Sequence, residues 1–321
     1  MSEQPATLLA VDWGTSSLRG ARLGAQGQVL EEKSLARGIQ TVAPGEFATV
    51  FEASFGDWAR ASGSFCMISG MAGSKQGWVE APYCPCPAGF DEVAARLTWI
   101  DPAPNGLRVA IVPGLSCEHP STVSGLESVP DVMRGEEVQI LGAMQLTGLR
   151  EGIFVLPGTH NKWARVSEGR VTSFRTFMTG EFYALLSQRS ILSKTMDPDA
   201  PFDEAAFTQG VSQSRTGTGG LLHNAFSTRT LSLFSRLGAP ALTSYLSGLI
   251  IGEEIQAQGL PEGSGVNLIG APALTQRYAQ ALALHGVQSR ILGAEATWAG
   301  LHALAQTLAA TPIRISPPKD H

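Results

Sequence analysis

Two stretches of this chain each deliver a small polar turn straight after an apolar strand. Leu8 to Trp13 carries Asp12 into Gly14-Thr15-Ser16-Ser17, and Gly152 to Leu156 runs into Gly158-Thr159-His160-Asn161-Lys162. Backbone N–H groups and small hydroxyls in such turns can cradle phosphate oxygens. An aspartate at a strand end can hold Mg²⁺ while the ion keeps several of its waters. An Asx-type hairpin turn closed by Asp12 is the competing reading of the first stretch. Recurrence of the design in the second half favours a pair of phosphate turns.

Three further segments carry groups suited to chemistry. The run Asp131-Val132-Met133-Arg134-Gly135-Glu136-Glu137 sits at the start of a helix expected to extend from about Val132 to Thr147. Phosphoryl transfer to an alcohol needs one carboxylate placed to accept the hydroxyl proton. The competing reading has the glutamates complement the helix dipole and Glu137 pair with Arg134 three residues back. Gly135 weighs against it, because a glycine inside a helix costs about 1 kcal/mol relative to alanine and implies a close backbone approach. The loop holding Ser74, Lys75, Gln76 and Trp78 offers donors for hydroxyl and carboxylate groups and an apolar face for a carbon skeleton. Its competing reading is a plain turn with Trp78 packed on the core. Val266 to Leu274, with Gly270-Ala271 at the strand end, suits an adenine seated against backbone.

The elements that position these groups repeat. Hairpins are expected over 17–23 with 29–35 and over 162–166 with 171–177, the second turning at Glu168-Gly169. Helices follow over 46–59 and 180–188, then strands at 65–69 and 109–112 in the first half and at 266–270 and 289–293 in the second. Two copies of three antiparallel strands followed by strand–helix alternation predict an α/β chain with the duplicated ribonuclease-H-like fold of the actin, Hsp70 and sugar kinase superfamily. Two lobes are expected around a nucleotide cleft, residues 1–148 and 149–321, divided where Gly148 stops a helix. Proline recurrence makes Ala81 to Gly89 a loop over the first lobe. The chain lacks a Walker motif, and Gly217-Thr218-Gly219-Gly220 follows no strand, which excludes the dinucleotide fingerprint.

Composition narrows the class further. The 321 residues, 43% hydrophobic, suffice for two cores. A net charge of −5 without a basic run argues against a nucleic-acid partner. No apolar run reaches membrane-spanning length, and the N-terminus lacks signal-peptide features, so a cytoplasmic location is expected. Cys66, Cys84, Cys86 and Cys117 are too few for a disulfide framework and lack paired zinc spacing. They read as reduced thiols. The tail from Pro312 to His321 is expected to be poorly ordered.

In order and spacing, DWGTSSLR, GMAGSKQGW, PGLS, VMRGEE, LPGTHNKW, FMTGE, SGLIIGEE and GAPALTQRY resemble the 2-dehydro-3-deoxygalactonokinase family across nearly the whole chain. The resemblance implies ATP-dependent phosphorylation of the C6 hydroxyl of 2-dehydro-3-deoxy-D-galactonate, with ATP and Mg²⁺ as cofactors and a small sugar acid as partner. It implies a first phosphate and metal loop of Asp12, Gly14, Thr15, Ser16 and Ser17 with Arg19, and a second of Gly158, Thr159, His160 and Lys162. Gly270 and Ala271 become the adenosine segment, and many relatives have Gly-Gly there. Ser74, Lys75, Gln76, Trp78 and Arg134 face the substrate. Glu136 is favoured over Glu137 as base, with Asp131 a third candidate that reads better as a helix cap. Arg134, Lys75 and Lys162 are the cations available to the substrate carboxylate, arginine suiting a bidentate grip. The gluconate epimer as substrate, a superfamily phosphatase or ATPase, and a homodimer remain open.

Overall fold

The computed structural model describes residues 8–62, 65–101, 104–121, 125 and 127–310. The expectations for the two termini lie outside these residues. The chain divides into two compact units: residues 1–151, 166–173 and 294–321 form the first, and residues 152–165 and 174–293 the second.

In the first unit, β1 (Leu8–Trp13), β2 (Leu18–Leu23) and β3 (Val29–Leu35) form an antiparallel meander, followed by α1 (Phe47–Ser62) and β4 (Phe65–Gly70). Short elements β5 (Cys84–Pro85), α2 (Phe90–Ala94) and β6 (Thr98–Trp99) precede β7 (Val109–Ile111), β8 (Leu115–His119), β9 (Val129–Met133) and α3 (Glu136–Thr147). The main sheet runs β3-β2-β1-β4-β7-β6. Strand residues alternate between faces, so Leu9, Val11 and Trp13 join Phe47, Phe51 and Phe55 of α1 in one core. Antiparallel pairing sets Asp12 opposite Arg19, and parallel pairing sets Asp12 beside Ser69 and Trp13 beside Gly70.

The second unit repeats the plan. It holds β10 (Gly152–Leu156), the start of β11 (Asn161–Ser167) and the end of β12 (Arg170–Phe177), the tip of this hairpin falling in the first unit, then α4 (Thr179–Arg189), α5 (Glu204–Thr216), α6 (Gly220–Asn224), α7 (Ser227–Leu233) and α8 (Ala239–Ala257). Then come β13 (Gly265–Ile269), α9 (Pro272–Leu284) and β14 (Gln288–Leu292). Its sheet, β12-β11-β10-β13-β14, has the strand order of β3-β2-β1-β4-β7, which defines a duplicated ribonuclease-H-like, actin-like ATPase fold. Helices α5 and α8 cross on glycine: a Cβ on Gly248 would stand 2.1 Å from the Phe207 carbonyl oxygen. No helix among the described residues is long and apolar enough to cross a membrane.

Four sequence expectations are corrected. The contiguous division at 148/149 fails for the last helix, α10 (Glu295–Ala310), which returns to the first unit and crosses α3. A Cβ on Gly142 would lie 1.7 Å from the Ala296 carbonyl oxygen, and one on Gly300 2.1 Å from that of Val138. The helix expected from Val132 begins only at Glu136. Residues Val129–Met133 instead form β9 in a small sheet β5-β8-β9, because Pro130 and the β-branched valines suit an edge strand. Gly135 is therefore the helix N-cap, at φ +106°, and not an interior glycine. Asp131 lies in β9 opposite Cys117 and caps no helix.

Candidate active site

In the first unit three chain segments meet at Gly70. A Cβ on Gly70, whose φ is +94°, would lie 2.8 Å from the Trp13 carbonyl oxygen and 3.3 Å from Asp12 Oδ1. A Cβ on Gly135 would lie 3.4 Å from Gly70 Cα. The end of β1 with Asp12, the end of β4, and the start of α3 with Glu136 and Glu137 thus come together around two glycines whose positive φ L side chains rarely adopt, Gly70 also having no room for a Cβ. Asp12 Oδ2 accepts from Arg19 Nη2 at 2.5 Å, and the Arg19 guanidinium lies 5.7 Å from the Trp298 ring of α10. Arg19, expected at phosphate, is engaged with Asp12.

The turn between β1 and β2 is closed by Gly14 N–H donating to the Ser17 carbonyl at 2.9 Å. Its carbonyls are taken inward: Gly14 O accepts from Ile39 N at 3.0 Å and Thr15 O from Gln40 N at 3.3 Å. Thr15, Ser16 and Ser17 are exposed. The turn therefore keeps three hydroxyl side chains exposed, groups a phosphate site can use.

The two glutamates have opposite surroundings. Glu136 is half-buried, and its Oε2 accepts from Arg134 N at 3.0 Å. Glu137 is wholly buried, its Oε2 accepting from Gly135 N at 2.7 Å. Burial, and then the neighbouring Glu136 charge, push the Glu137 carboxyl up to about 8. Glu137 consequently carries its proton at neutral pH, whereas Glu136 keeps solvent access.

Arg134 precedes the helix, so the expected pairing with Glu137 along one helical face is replaced by another arrangement. Its Nη2 donates to the Ala81 carbonyl at 2.8 Å and its guanidinium stacks 4.4 Å from the Tyr83 ring. Its Nε and Nη1, the hydroxyls of Ser69 and Ser74, and Glu137 Oε1 are buried without a partner within the chain. Buried polar atoms are normally paired, and these five lie on segments that meet at Gly70, where they suit pairing with a polar ligand. Lys75 and Gln76 are exposed on the same loop. Trp78 follows the competing reading: its ring packs 5.4 Å from Phe51 and 6.2 Å from Trp13.

In the second unit, Gly158, Thr159 and His160 are exposed, and Gly158 N donates to Asn161 Oδ1 at 2.6 Å. The N-terminus of α4 abuts this turn. A Cβ on Gly180 would lie 2.2 Å from the Gly158 carbonyl oxygen, Glu181 N donates to Thr159 O at 3.1 Å, and His160 Nε2 is 2.5 Å from Glu181 Oε2. Lys162, expected at phosphate or carboxylate, is buried and donates from Nζ to Thr176 Oγ1 at 2.9 Å.

Beside the turn opens a pocket lined by Gly158, Asn161, Thr179, Tyr183, Ser247, Leu274, Arg277 and Tyr278, among others. Gly270 approaches the Pro157 carbonyl, to 3.5 Å from a Cβ built on it, and Ala271 is exposed, yet neither lines this pocket. The lining comes from one turn further along α9. The pocket residues of α4, α8 and α9 were missed from sequence. They fall in or beside FMTGE, SGLIIGEE and GAPALTQRY, and an apolar helix ending in Glu253-Glu254 was the available signal.

Among the described residues no group of three or more His, Cys, Asp or Glu is arranged to hold a metal. Mg²⁺ bound through one carboxylate and substrate phosphates needs none, and Asp12 Oδ1 fits that single-ligand role. Burial, then the nearby Cys117 and Cys84 thiols, push Cys86 up to about 12, in keeping with inert reduced thiols.

The fold and these paired turns define a sugar-kinase-type phosphotransferase with an alcohol as acceptor. Residues 12–304 match the 2-keto-3-deoxy-galactonokinase family, and the chain belongs to that family. It is 38% identical over 304 residues to "Probable 2-dehydro-3-deoxygalactonokinase DgoK1" of Rhizobium meliloti (strain 1021), covering 93% of this chain and 96% of that protein. It is 31% identical over 307 residues to the 2-dehydro-3-deoxygalactonokinase of Escherichia coli (strain K12), covering 95% and 99%. A crystal structure of a Sinorhizobium meliloti protein provisionally given the same activity superposes with a TM-score of 0.85 at 36% identity, covering 95% of this chain and all of that one.

Proposed function

We propose that this chain transfers the γ-phosphoryl group of ATP to the C6 hydroxyl of 2-dehydro-3-deoxy-D-galactonate, as a cytoplasmic enzyme. The observation that carries the proposal is the meeting at Gly70 of Asp12, the Glu136 end of α3 and the unpaired polar atoms of Ser69, Ser74 and Arg134. A polyhydroxy acid satisfies such a set, its hydroxyls pairing the serines and its carboxylate the guanidinium. The Gly158–His160 turn and the pocket beside it take the nucleotide. The Gly14–Ser17 turn meets phosphate oxygens with its N–H groups and hydroxyls.

Glu136 accepts the C6 hydroxyl proton as that oxygen attacks the γ-phosphorus and the bond to ADP breaks. Glu137, protonated behind it, keeps a second negative charge away from the approaching triphosphate. Asp12 is the residue to hold Mg²⁺, which supplies neutralisation of phosphate charge when bound. A coupled ADP-release assay over a panel of 2-keto-3-deoxy sugar acids tests the reading. The galactonate compound should give the highest kcat/KM. A preference for the gluconate epimer overturns the substrate, and ATP turnover independent of sugar acid overturns the kinase.

A further inference from the structure

Glu254 is a buried carboxylate that the reaction above does not use. It sits in the C-terminal part of α8 at 4% exposure, and four side chains from three other elements donate to it. Its Oε1 accepts from Trp163 Nε1 at 2.5 Å. Its Oε2 accepts from Asn161 Nδ2 at 2.7 Å, from the Tyr278 hydroxyl at 2.7 Å, and from Thr179 Oγ1. Asn161 also donates to the Tyr278 hydroxyl and, through Oδ1, accepts the N–H of Gly158 at 2.6 Å. Burial raises the Glu254 pKa, and the four donors, with Thr179 foremost, pull it back.

A buried carboxylate is a poor route to stability, since a well-packed apolar residue serves as well or better. What it supplies is geometry. An acceptor for four donors fixes the orientation of each, and here it decides which end of the Asn161 amide meets Gly158. With the carboxylate gone, the amide can turn its NH2 toward the Gly158 N–H and release the turn. Asn161, Thr179 and Tyr278 also line the pocket beside that turn.

We infer that Glu254 is the positioning residue of the nucleotide half of the site, fixing the Gly158 turn through Asn161 and the pocket wall through Thr179 and Tyr278. The inference rests on the reading that the second unit takes ATP. Glu254→Gln is isosteric but has one acceptor oxygen, so an NH2 must face donors on one side. It should raise the KM for ATP at least tenfold and change the KM for the sugar acid by less than twofold. Asn161→Ala, which removes the relay together with one pocket-lining side chain, should do the same, and the double variant should be no worse than the poorer single one, because contacts acting in series are not additive.

A Glu254→Gln protein with a lowered Tm and an unchanged KM for ATP overturns the inference, as does an additive double variant. A rise confined to the KM for the sugar acid overturns the nucleotide assignment of the second unit instead. Where Glu254→Gln does not fold, Asn161→Ala decides alone, and an unchanged KM for ATP refutes the relay.

Discussion

Asp12 and Glu136 differ from their neighbours in what surrounds them, and that difference sets their expected roles. Asp12 has one oxygen on Arg19 and the other toward Gly70, so Asp12→Asn keeps the shape and removes the charge. We expect it to remove most turnover while Tm stays near wild type, measured together on one preparation. A folded Asp12→Asn protein with wild-type kcat makes Asp12 a turn residue only. Glu136→Gln should lower kcat by about two or more powers of ten, the usual worth of a positioned base, and Glu137→Gln by much less. Glu137 makes a separate prediction about stability. Its folded-state pKa, about 8, lies above the ordinary carboxylate value, so its contribution is complete below about pH 4.5 and is lost as pH rises to 8. Wild-type Tm should therefore fall relative to Glu137→Gln between those pH values and run parallel above them. A constant difference across the range shows that Glu137 does not titrate there. At this scale the sequence was legible where the backbone dictates conformation, as in the exposed turns, and illegible where a side chain chooses between core and surface. Trp78 and Lys162 both went inward, Trp78 into an aromatic cluster and Lys162 to Thr176, because cross-element packing is not written in local spacing.

Elements were legible by period and capping signals, and the errors came where these conflicted. The hairpins announced themselves by alternation. The Glu168-Gly169 turn has both residues at positive φ, as tight hairpin turns require. The segment before α3 carried carboxylates that imitate a helix start, yet its valines and Pro130 put it in an edge strand and left Gly135 to turn the chain. Glycine at a helix crossing was the other element-scale signal left unread. Gly142 and Gly300 let α3 and α10 approach until backbone meets backbone, so Gly142→Ala should destabilise by about 2 kcal/mol or more, the upper range of overpacking costs. A denaturation midpoint lowered by that free energy divided by an unchanged slope is the expected reading. A neutral Gly142→Ala shows that the crossing can open without cost. Gly265, whose Cβ would meet nothing within 4 Å and whose φ is not in the left-handed region, is the control for substitution itself.

At the scale of the whole chain, duplication was legible and closure was not. The two sheets repeat one strand order, a pattern visible as two strand–turn–strand segments in the sequence. The return of α10 to the first unit was hidden, because an amphipathic terminal helix does not announce which sheet it covers. That return has a consequence for folding. Helix α3 buries Val138, Leu141 and Gly142, and α10 packs across it and lies near β1, so the first unit is completed only by α10. A chain ended at Gly293 should lose protection in the first unit while β10–β14 and α5–α8 of the second unit keep theirs. Hydrogen exchange read peptide by peptide measures this directly. We expect amides of β1 and α3 to exchange at least a hundredfold faster in the shortened chain, and those of α8 to change little. The same chain should have no measurable kinase activity, because Asp12 and Glu136 both stand on elements that α10 holds. Adding a synthetic peptide of residues 294–310 should restore protection in α3 before it restores turnover. Protected α3 amides in the shortened chain without peptide refute this account, and they return the first unit to a self-sufficient domain of residues 1–151.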